Sequence, residues 1–513
     1  MSDELTALDA TFLELEEADQ SAHMHIGAVM LFEPAPGGRP PGVDRLRADL
    51  GARLDTLPRF GQRLSEARTG GLRWPRWVDD ERFDIAHHVR PAALPAPAGE
   101  AELREWAGEY FSRRLDRARP LWEIVVLELG DGRWAMVSKT HHCMVDGVGS
   151  VDIGQTIFDP QPNTERRATD DRPHPHKPPA APRPRSLGRQ LAHRPVEAGV
   201  RLVGLCTGAA RAAADIVGAG AEVVTHPGRG REAVRHSRAL IEVLVRDELI
   251  AAPATSLNEP IGAARALAVI EVSLEDLKVV KRSLGGTVND VVLAATAGGL
   301  RRLFEHRGDP LPAAGVRAMV PVNIRSAAER LALGNRITSL FVHLPVAERD
   351  PRRRYELQLD EAERLKAGTQ AMGSRDIIDL AAHAPPVIHT FLARSLFATR
   401  LFNVTITNVP GPQLPLYAFG SRMQAVWPLV PLAAEHALGV AVLSYDGRVF
   451  FCLNAARDSV PDLDVVACGI ADSIAELVEI ARPAGGRVAV AQNQEEPGYA
   501  RRPLLRHDSR RSR

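Results

Sequence analysis

The chain has 513 residues, too long for one ordinary core, so two domains with room for a third are expected. Hydrophobic residues make up 45% and charged residues 25%, a globular profile, and Lys+Arg and Asp+Glu both number 64, so net charge gives no argument for nucleic-acid binding. Cys143, Cys206, Cys452 and Cys468 are scattered, none at C-x-x-C spacing, which argues against a disulfide scaffold or zinc knuckle and fits a reducing cytoplasm.

The first block spans residues 1–158. Its start, "MSDELTALDATFLELEE", is acidic and lacks an apolar h-region, so it does not read as a signal peptide. "HIGAVMLFEP" (25–34) is a short apolar run ending at a proline, hence a strand. In "GEAELREWAGEYFSRRLDRARP" (99–120), Leu103, Trp106, Ala107, Tyr110, Phe111 and Leu115 recur at helical spacing, and Pro120 is expected to end that helix. "LWEIVVLEL" and "RWAMVSKT" flank Gly-Asp-Gly, which predicts a hairpin. A His-His pair leaves the second strand directly, and "VGSVDIGQTIFD" follows as a helix.

Residues 159–186 are rich in proline and charge and nearly free of apolar side chains, so they read as a linker. Residues 187–254 read as a helical, partly basic connector. The nearest candidate for a membrane span, 199–224, carries Arg201, Arg211 and Asp215 and reads as a buried or interfacial helix, since a span needs roughly 20 uninterrupted apolar residues. A second block spans 255–482. "SLEDLKVVKRSL" is a helix pattern with Ser273 as N-cap and Asp276 three residues on; "VNDVVLAATAGGLRRLFEHRG" is another. "VRAMVPVNIR", "ITSLFVHLPV", "FNVTITNVP", "GVAVLSYDG" and "RVFFCLNAA" are strand patterns, the last two joined through Asp446-Gly447 as a hairpin. "DVVACGIADSIAELVEIA" is a closing helix, and 483–513 a basic, unstructured tail. Two α/β blocks of similar make-up on either side of a linker suggest two lobes.

Several chemistries are rejected. No G-x-S-x-G, P-loop or H-E-x-x-H occurs, and "GVGSVD" lacks the third glycine of a dinucleotide fingerprint. His174 and His176 lie in the proline-rich linker and read as solvated, so no metal site is expected. Cys143 beside two histidines invites a thiol-nucleophile reading, but a cysteine next to a histidine in sequence usually points away from it.

"SKTHHCMVDGVGS" (138–150) is the strongest candidate for chemistry. An imidazole with a pKa near 6.5 is free to accept a proton at neutral pH. Along an extended segment side chains alternate, so one of His141 and His142 should face a cavity and the other the interior. Gly147 after Asp146 allows a tight turn, and Asp146 can fold back to hold the loop. The same spacing also fits a purely structural pair. "FDIAHHVRPAALP" (83–95) provides an internal contrast: His87 and His88 have no Asp-Gly after them.

"HHCMVDG" resembles the HHxxxDG signature of the coenzyme-A-dependent acyltransferase superfamily. "PLW" (120–122), "VNDVVLA" (288–294), "VPVNIR" (320–325) and "TNVPGP" (407–412) follow its pattern, as do the N-terminal stretch through "HIGAVMLFEP" and "FDIAHHVR". Together they resemble the bacterial wax ester synthase/diacylglycerol acyltransferase family over about residues 5–482, the linker excepted. HHxxxDG alone is shared with nonribosomal peptide condensation domains; the ordered combination is more specific.

This resemblance implies a two-lobed α/β (α+β) fold like that of chloramphenicol acetyltransferase, with a substrate tunnel between the lobes and His142 near its middle. It implies transfer of a fatty acyl group from acyl-CoA to diacylglycerol or a long-chain alcohol, with His142 as general base and acid, His141 supporting, Asp146 anchored by an arginine, Gly147 in the turn, and no acyl-enzyme. Acyl-CoA is a substrate, and no cofactor is implied. Pro120, Leu121 and Trp122 read as packing, with Trp122 also a candidate lining of an acyl channel. Asn289 and Asp290 stand at a helix start, as caps or as site residues, and Asn408 borders a turn that can shape a tunnel mouth. A lipid acceptor implies a cytoplasmic protein bound peripherally to the inner membrane face or to lipid droplets. The rivals are a condensation-type domain using carrier-bound acyl groups and a lipid-binding homologue without catalysis.

Overall fold

The computed structural model describes residues 5–65 (apart from 6, 39, 55 and 56), 75–145, 154, 157–162, 252–323, 337–371 and 401–482. Asp146, Gly147, most of the expected 148–159 helix, nearly all of the linker and of the connector, and the tail lie outside these residues.

In the first lobe, α1 (Ala7–Ala18) leads to β1 (His25–Phe32). Then come α2 (Val43–Leu54), the short pair β2 (Gln62–Leu64) and β3 (Trp77–Asp79), a one-turn α3 (Ile85–His88) and β4 (Val89–Ala92). Next are α4 (Glu100–Phe111), β5 (Trp122–Glu128) and β6 (Trp134–His141). The β5–β6 hairpin forms as the Gly-Asp-Gly signal predicts: Leu129 N–H donates to Arg133 O at 2.8 Å, and Gly132 takes φ +85°, where a side chain would be strained.

The second lobe contains β7 (Arg265–Ser273), α5 (Leu274–Leu284), α6 (Val288–Arg307), β8 (Val316–Asn323), β9 (Ile337–Leu344), α7 (Pro351–Ala371) and β10 (Val404–Pro410). After these come β11 (Tyr417–Ala418), β12 (Ser421–Leu429), β13 (Leu438–Tyr445), β14 (Arg448–Ala456) and α8 (Leu463–Ala481). Asp446 and Gly447 both adopt positive φ between β13 and β14, the geometry of a tight hairpin. On α6 and α8, glycines permit close contact: a Cβ on Gly469 would lie 2.8 Å from Gly299 Cα.

Among the described residues each lobe has a six-stranded mixed sheet, β11-β12-β1-β6-β5-β4 and β7-β14-β13-β10-β8-β9. The segment 255–482 therefore does not close on itself. β11 and β12 leave it to join the first sheet, where β12 runs antiparallel to β1 from Gly27↔Leu429 to Phe32↔Met423. Tyr445, Phe450 and Cys452 of the second sheet belong to the same apolar cluster as Val29, Val125 and Val137 of the first.

Two boundary expectations need correction. α4 stops at Phe111, well before Pro120. The Ser112 hydroxyl donates back to Gly108 O at 2.7 Å, and the buried Lys139 ammonium donates to Tyr110 O and Arg113 O, each at 3.0 Å, capping the helix early. The N-cap of α6 is Thr287, not Asn289 or Asp290. Asp290 is its N3 residue and closes a capping box, accepting from the Thr287 N–H at 2.8 Å. Ser273 does cap α5, but its hydroxyl accepts from the Glu275 N–H and no capping box with Asp276 forms.

The lobes touch where α4 packs on β7. A Cβ on Gly108 would stand 2.7 Å from the Arg265 carbonyl oxygen, and the Ser112 hydroxyl accepts from the Arg265 N–H at 2.9 Å. Gly108→Ala should therefore destabilise the protein by about 1–3 kcal/mol despite alanine's better helix propensity, because backbone has to shift. Urea unfolding checks it; a variant as stable as the parent would show that the contact yields freely.

Candidate active site

β6 is an interior strand, paired antiparallel to β1 on one edge and β5 on the other. Both pairings persist to its end. The His141 N–H donates to Leu121 O at 2.9 Å, and the His142 N–H to Met24 O at 2.8 Å. The chain then turns, with the Met144 N–H donating to His141 O at 3.0 Å. Alternation separates the two rings: His141 is fully buried, whereas His142 is half-buried. The His142 ring stacks on Phe12 of α1, centroids 4.0 Å apart and 13° from coplanar.

Behind the turn lies a buried polar cluster. Glu16 of α1, 2% exposed, faces His141 Nε2 at 3.3 Å and His25 Nε2 at 3.5 Å, and it accepts from Arg117 Nη2 at 2.7 Å. Burial pushes the Glu16 carboxyl up, but its contact with His141, the nearby charges and the Arg117 hydrogen bond outweigh this and hold it well below the ordinary range. Burial pushes His141 and, more strongly, His25 below the usual imidazole value, with Glu16 opposing in each case. Each ring is thus a weaker base than a free imidazole. His141 Nδ1 accepts from the Cys143 N–H at 3.1 Å, which places the imidazole proton on Nε2, toward Glu16.

The other candidates divide. Pro120, Leu121 and Trp122 are buried. Leu121 contributes its carbonyl to the clamp on His141. The Trp122 indole N–H donates to Phe60 O at 2.8 Å and its ring stacks on His88, so that side chain packs in the core. His88 in turn bonds Trp122 O, a structural use of the second His-His pair. Asn408 of β10 donates to Asn289 at the start of α6, at 3.3 Å, so "ND" and "NVPGP" converge. Asp290 serves as the N3 partner in the capping box with Thr287. Asp146 and Gly147 lie outside the described residues. Cys143 is buried, and desolvation first, then nearby Asp9, pushes its thiol well above the ordinary value, so it is no nucleophile.

A groove of about 710 Å³ opens between the lobes, lined by residues including Leu31, Arg104, Val269, Trp427 and Arg448. It sits at the Leu31–Phe32 end of β1, roughly 20 Å of strand away from His25 and His141. Its lining does not include His142. The passage expected at His142 is thus not this groove.

Two family models match the chain. The wax ester synthase/diacylglycerol acyltransferase catalytic domain covers residues 5–292 and the WS/DGAT C-terminal domain covers 333–478. The chain belongs to this family. It is 32% identical over 483 residues to the "Probable diacyglycerol O-acyltransferase tgs1" of Mycobacterium tuberculosis, covering 93% of this chain and 96% of that one. To tgs2 of the same organism, named likewise, it is 32% identical over 473 residues, covering 91% and 97%. Among solved structures it resembles the wax ester synthase/diacylglycerol acyltransferase from Marinobacter aquaeolei VT8, with TM-score 0.62, 26% identity, and 93% and 99% of the two chains covered. The starter condensation domain of rhizomide synthetase shares the fold, with TM-score 0.57, 15% identity, and 94% of each chain covered.

For this WS/DGAT chain, sequence reasoning missed Phe12, Glu16, Met24, His25 and Arg117. One signal was available: His23 and His25 alternate on a strand and so share a face.

Arg117→Met should destabilise the fold by about 2 kcal/mol, less than the roughly 3–5 kcal/mol of a fully buried pair because Arg117 is a third exposed. The folded pKa of Glu16 is depressed, so its stabilisation is complete above the ordinary 4.5 and is lost as pH falls further. Denaturant titrations from neutral to acid pH should show this acid loss in the parent and a smaller one in the variant. Equal curves would contradict the assignment.

Proposed function

We propose that the chain transfers a fatty acyl group from acyl-CoA to the free hydroxyl of diacylglycerol, giving triacylglycerol, with His142 as general base. One observation carries this reading: a half-buried imidazole, its backbone fixed to Met24 and its ring braced by Phe12, directly follows a doubly paired strand. Identity near one third to proteins named as diacylglycerol O-acyltransferases, over more than nine-tenths of the chain, supports the substrate class.

The chemistry needs few groups. A neutral imidazole nitrogen of His142 takes the acceptor O–H proton while the oxygen attacks the thioester carbonyl carbon. The C–S bond then breaks, and the imidazolium returns its proton to the leaving thiolate, releasing free CoA and the ester. No residue is acylated, in keeping with the buried, high-pKa thiol of Cys143. His141 supports the turn, and Asn289 with Asn408 forms a polar contact that can border the acceptor path. Long-chain alcohols present the same hydroxyl and form a second acceptor class, giving wax esters. No cofactor enters these steps.

Diacylglycerol resides in lipid, so the protein works at the inner membrane face or a lipid-droplet surface, bound peripherally. No helix among the described residues is long and apolar enough to cross a membrane.

Incubating purified protein with radiolabelled palmitoyl-CoA and diolein, with hexadecanol in a parallel arm, tests the reading by thin-layer chromatography. Triacylglycerol should form, and His142→Ala should lower its rate by about 10²–10⁴-fold. No neutral-lipid product from the parent would overturn the substrate assignment. Full activity of the variant would overturn the role of His142.

A further inference from the structure

We propose that Glu16 is a positioning residue for this reaction: its carboxylate selects the His141 tautomer that holds the turn presenting His142. The proposal rests on the acyltransferase reading for its kinetic consequence, but its structural basis is independent of it.

The argument starts from what His141 has to do with its two nitrogens. Nδ1 lies 3.1 Å from the Cys143 backbone nitrogen and must offer a lone pair to that N–H. A neutral imidazole carries one proton, so the proton has to sit on Nε2. In the other tautomer Nδ1–H would oppose Cys143 N–H, two donors in contact, and the turn would open. Nε2 faces Glu16 Oε2 at 3.3 Å. The pair falls short of full hydrogen-bond geometry, but an ionised carboxylate at this distance attracts an N–H and repels a lone pair, so it disfavours the wrong tautomer.

Glu16 is suited to this role because it is itself fixed. Arg117 donates to Oε2 through both Nη2, at 2.7 Å, and Nε, at 3.2 Å. Arg117 Nη2 also reaches the Leu13 carbonyl at 3.1 Å, tying the guanidinium to α1. The same helix places Phe12 against the His142 ring. One helix thus braces His142 directly through Phe12 and, through Glu16 and His141, fixes the peptide that follows it. A displacement of about 1 Å in a catalytic base can cost on the order of a hundredfold in rate, so a loosened turn should be felt at the chemical step.

Glu16→Gln is nearly isosteric, but its amide both donates and accepts and so no longer discriminates between tautomers. Two measurements decide. In steady-state assays with palmitoyl-CoA and diolein, kcat should fall about 10–100-fold while KM for palmitoyl-CoA stays within about twofold. In NMR spectra of protein labelled with isotopic histidine, parent His141 should be the neutral Nε2–H form, and the variant should show a mixture of tautomers. Unchanged kcat would overturn the proposal, as would a loss of activity explained by a smaller folded fraction with kcat per folded molecule intact. A parent His141 that is Nδ1-protonated or doubly protonated would overturn it whether or not the variant folds. If the parent forms no ester, the acyltransferase reading fails, and the tautomer spectra still judge the hold of Glu16 on the turn.

Discussion

The strand that carries the histidines is held along both edges to its last residue. An edge strand would leave one side of its final peptides to water, and the turn beyond would be free to fray. Here Leu121 O, just before β5, fixes the peptide of His141, and Met24 O, just before β1, fixes that of His142. The proposed base therefore begins where backbone freedom has already been removed. This explains a small apolar motif upstream: Leu121 contributes through its carbonyl, and Trp122 anchors that carbonyl by packing on His88 and bonding Phe60 O.

Around this clamp the protein accepts an expensive polar interior. Glu16, His25, Lys139, His141 and Arg265 are all nearly inaccessible to solvent. Isolated charges in such surroundings cost several kcal/mol each, so each has to be answered by partners. Glu16 is answered by Arg117. Lys139 donates to two carbonyls at the end of α4, and burial lowers its pKa to about 8, with Glu123 partly opposing. Arg265 donates to the Ser21, Gly262 and Ala264 carbonyls. Each of these groups joins separate segments of chain near the α1–β1 loop or the end of β6. The cluster exchanges some of the hydrophobic stabilisation available to a core for fixed orientation, which is what a base with one working nitrogen requires.

Local rules explain which parts of this were readable beforehand. The β5–β6 and β13–β14 hairpins were legible because Gly132, Asp446 and Gly447 need positive φ, a demand that appears directly in residue type. The His-His pair at the end of β6 was legible for the same reason, since a hairpin sets where its second strand ends. The end of α4 was not: helical spacing runs on to Leu115, but the helix is stopped by a lysine from a strand over twenty residues downstream. Thr287 was overlooked as a cap because Asn289 and Asp290 follow it and are themselves good cap residues. Glu16 sits among Glu14 and Glu17 in an acidic run, and only tertiary contact distinguishes it from its solvated neighbour Glu17. Amphipathic pattern shows which face is buried, but not which acid will meet a histidine from 125 residues away.

The crossing of β12 was equally invisible, because its alternation of buried and exposed residues fits either sheet, and it has the largest consequence for the site. β12 runs along β1 toward the histidines, with Leu429 opposite Gly27, two residues past His25. The chain then returns to the second lobe, where the Asn454 side chain donates to Val430 O at 2.8 Å and β13 begins at Leu438. The strand whose start holds His142 is therefore hydrogen-bonded to chain covalently continuous with the opposite lobe. On the other flank, the Arg265 N–H bonds Ser112 at the end of α4, and the Arg265 side chain bonds Ser21 just before β1. Wide separation of the lobes at this point would have to break a β ladder and extract a buried arginine together.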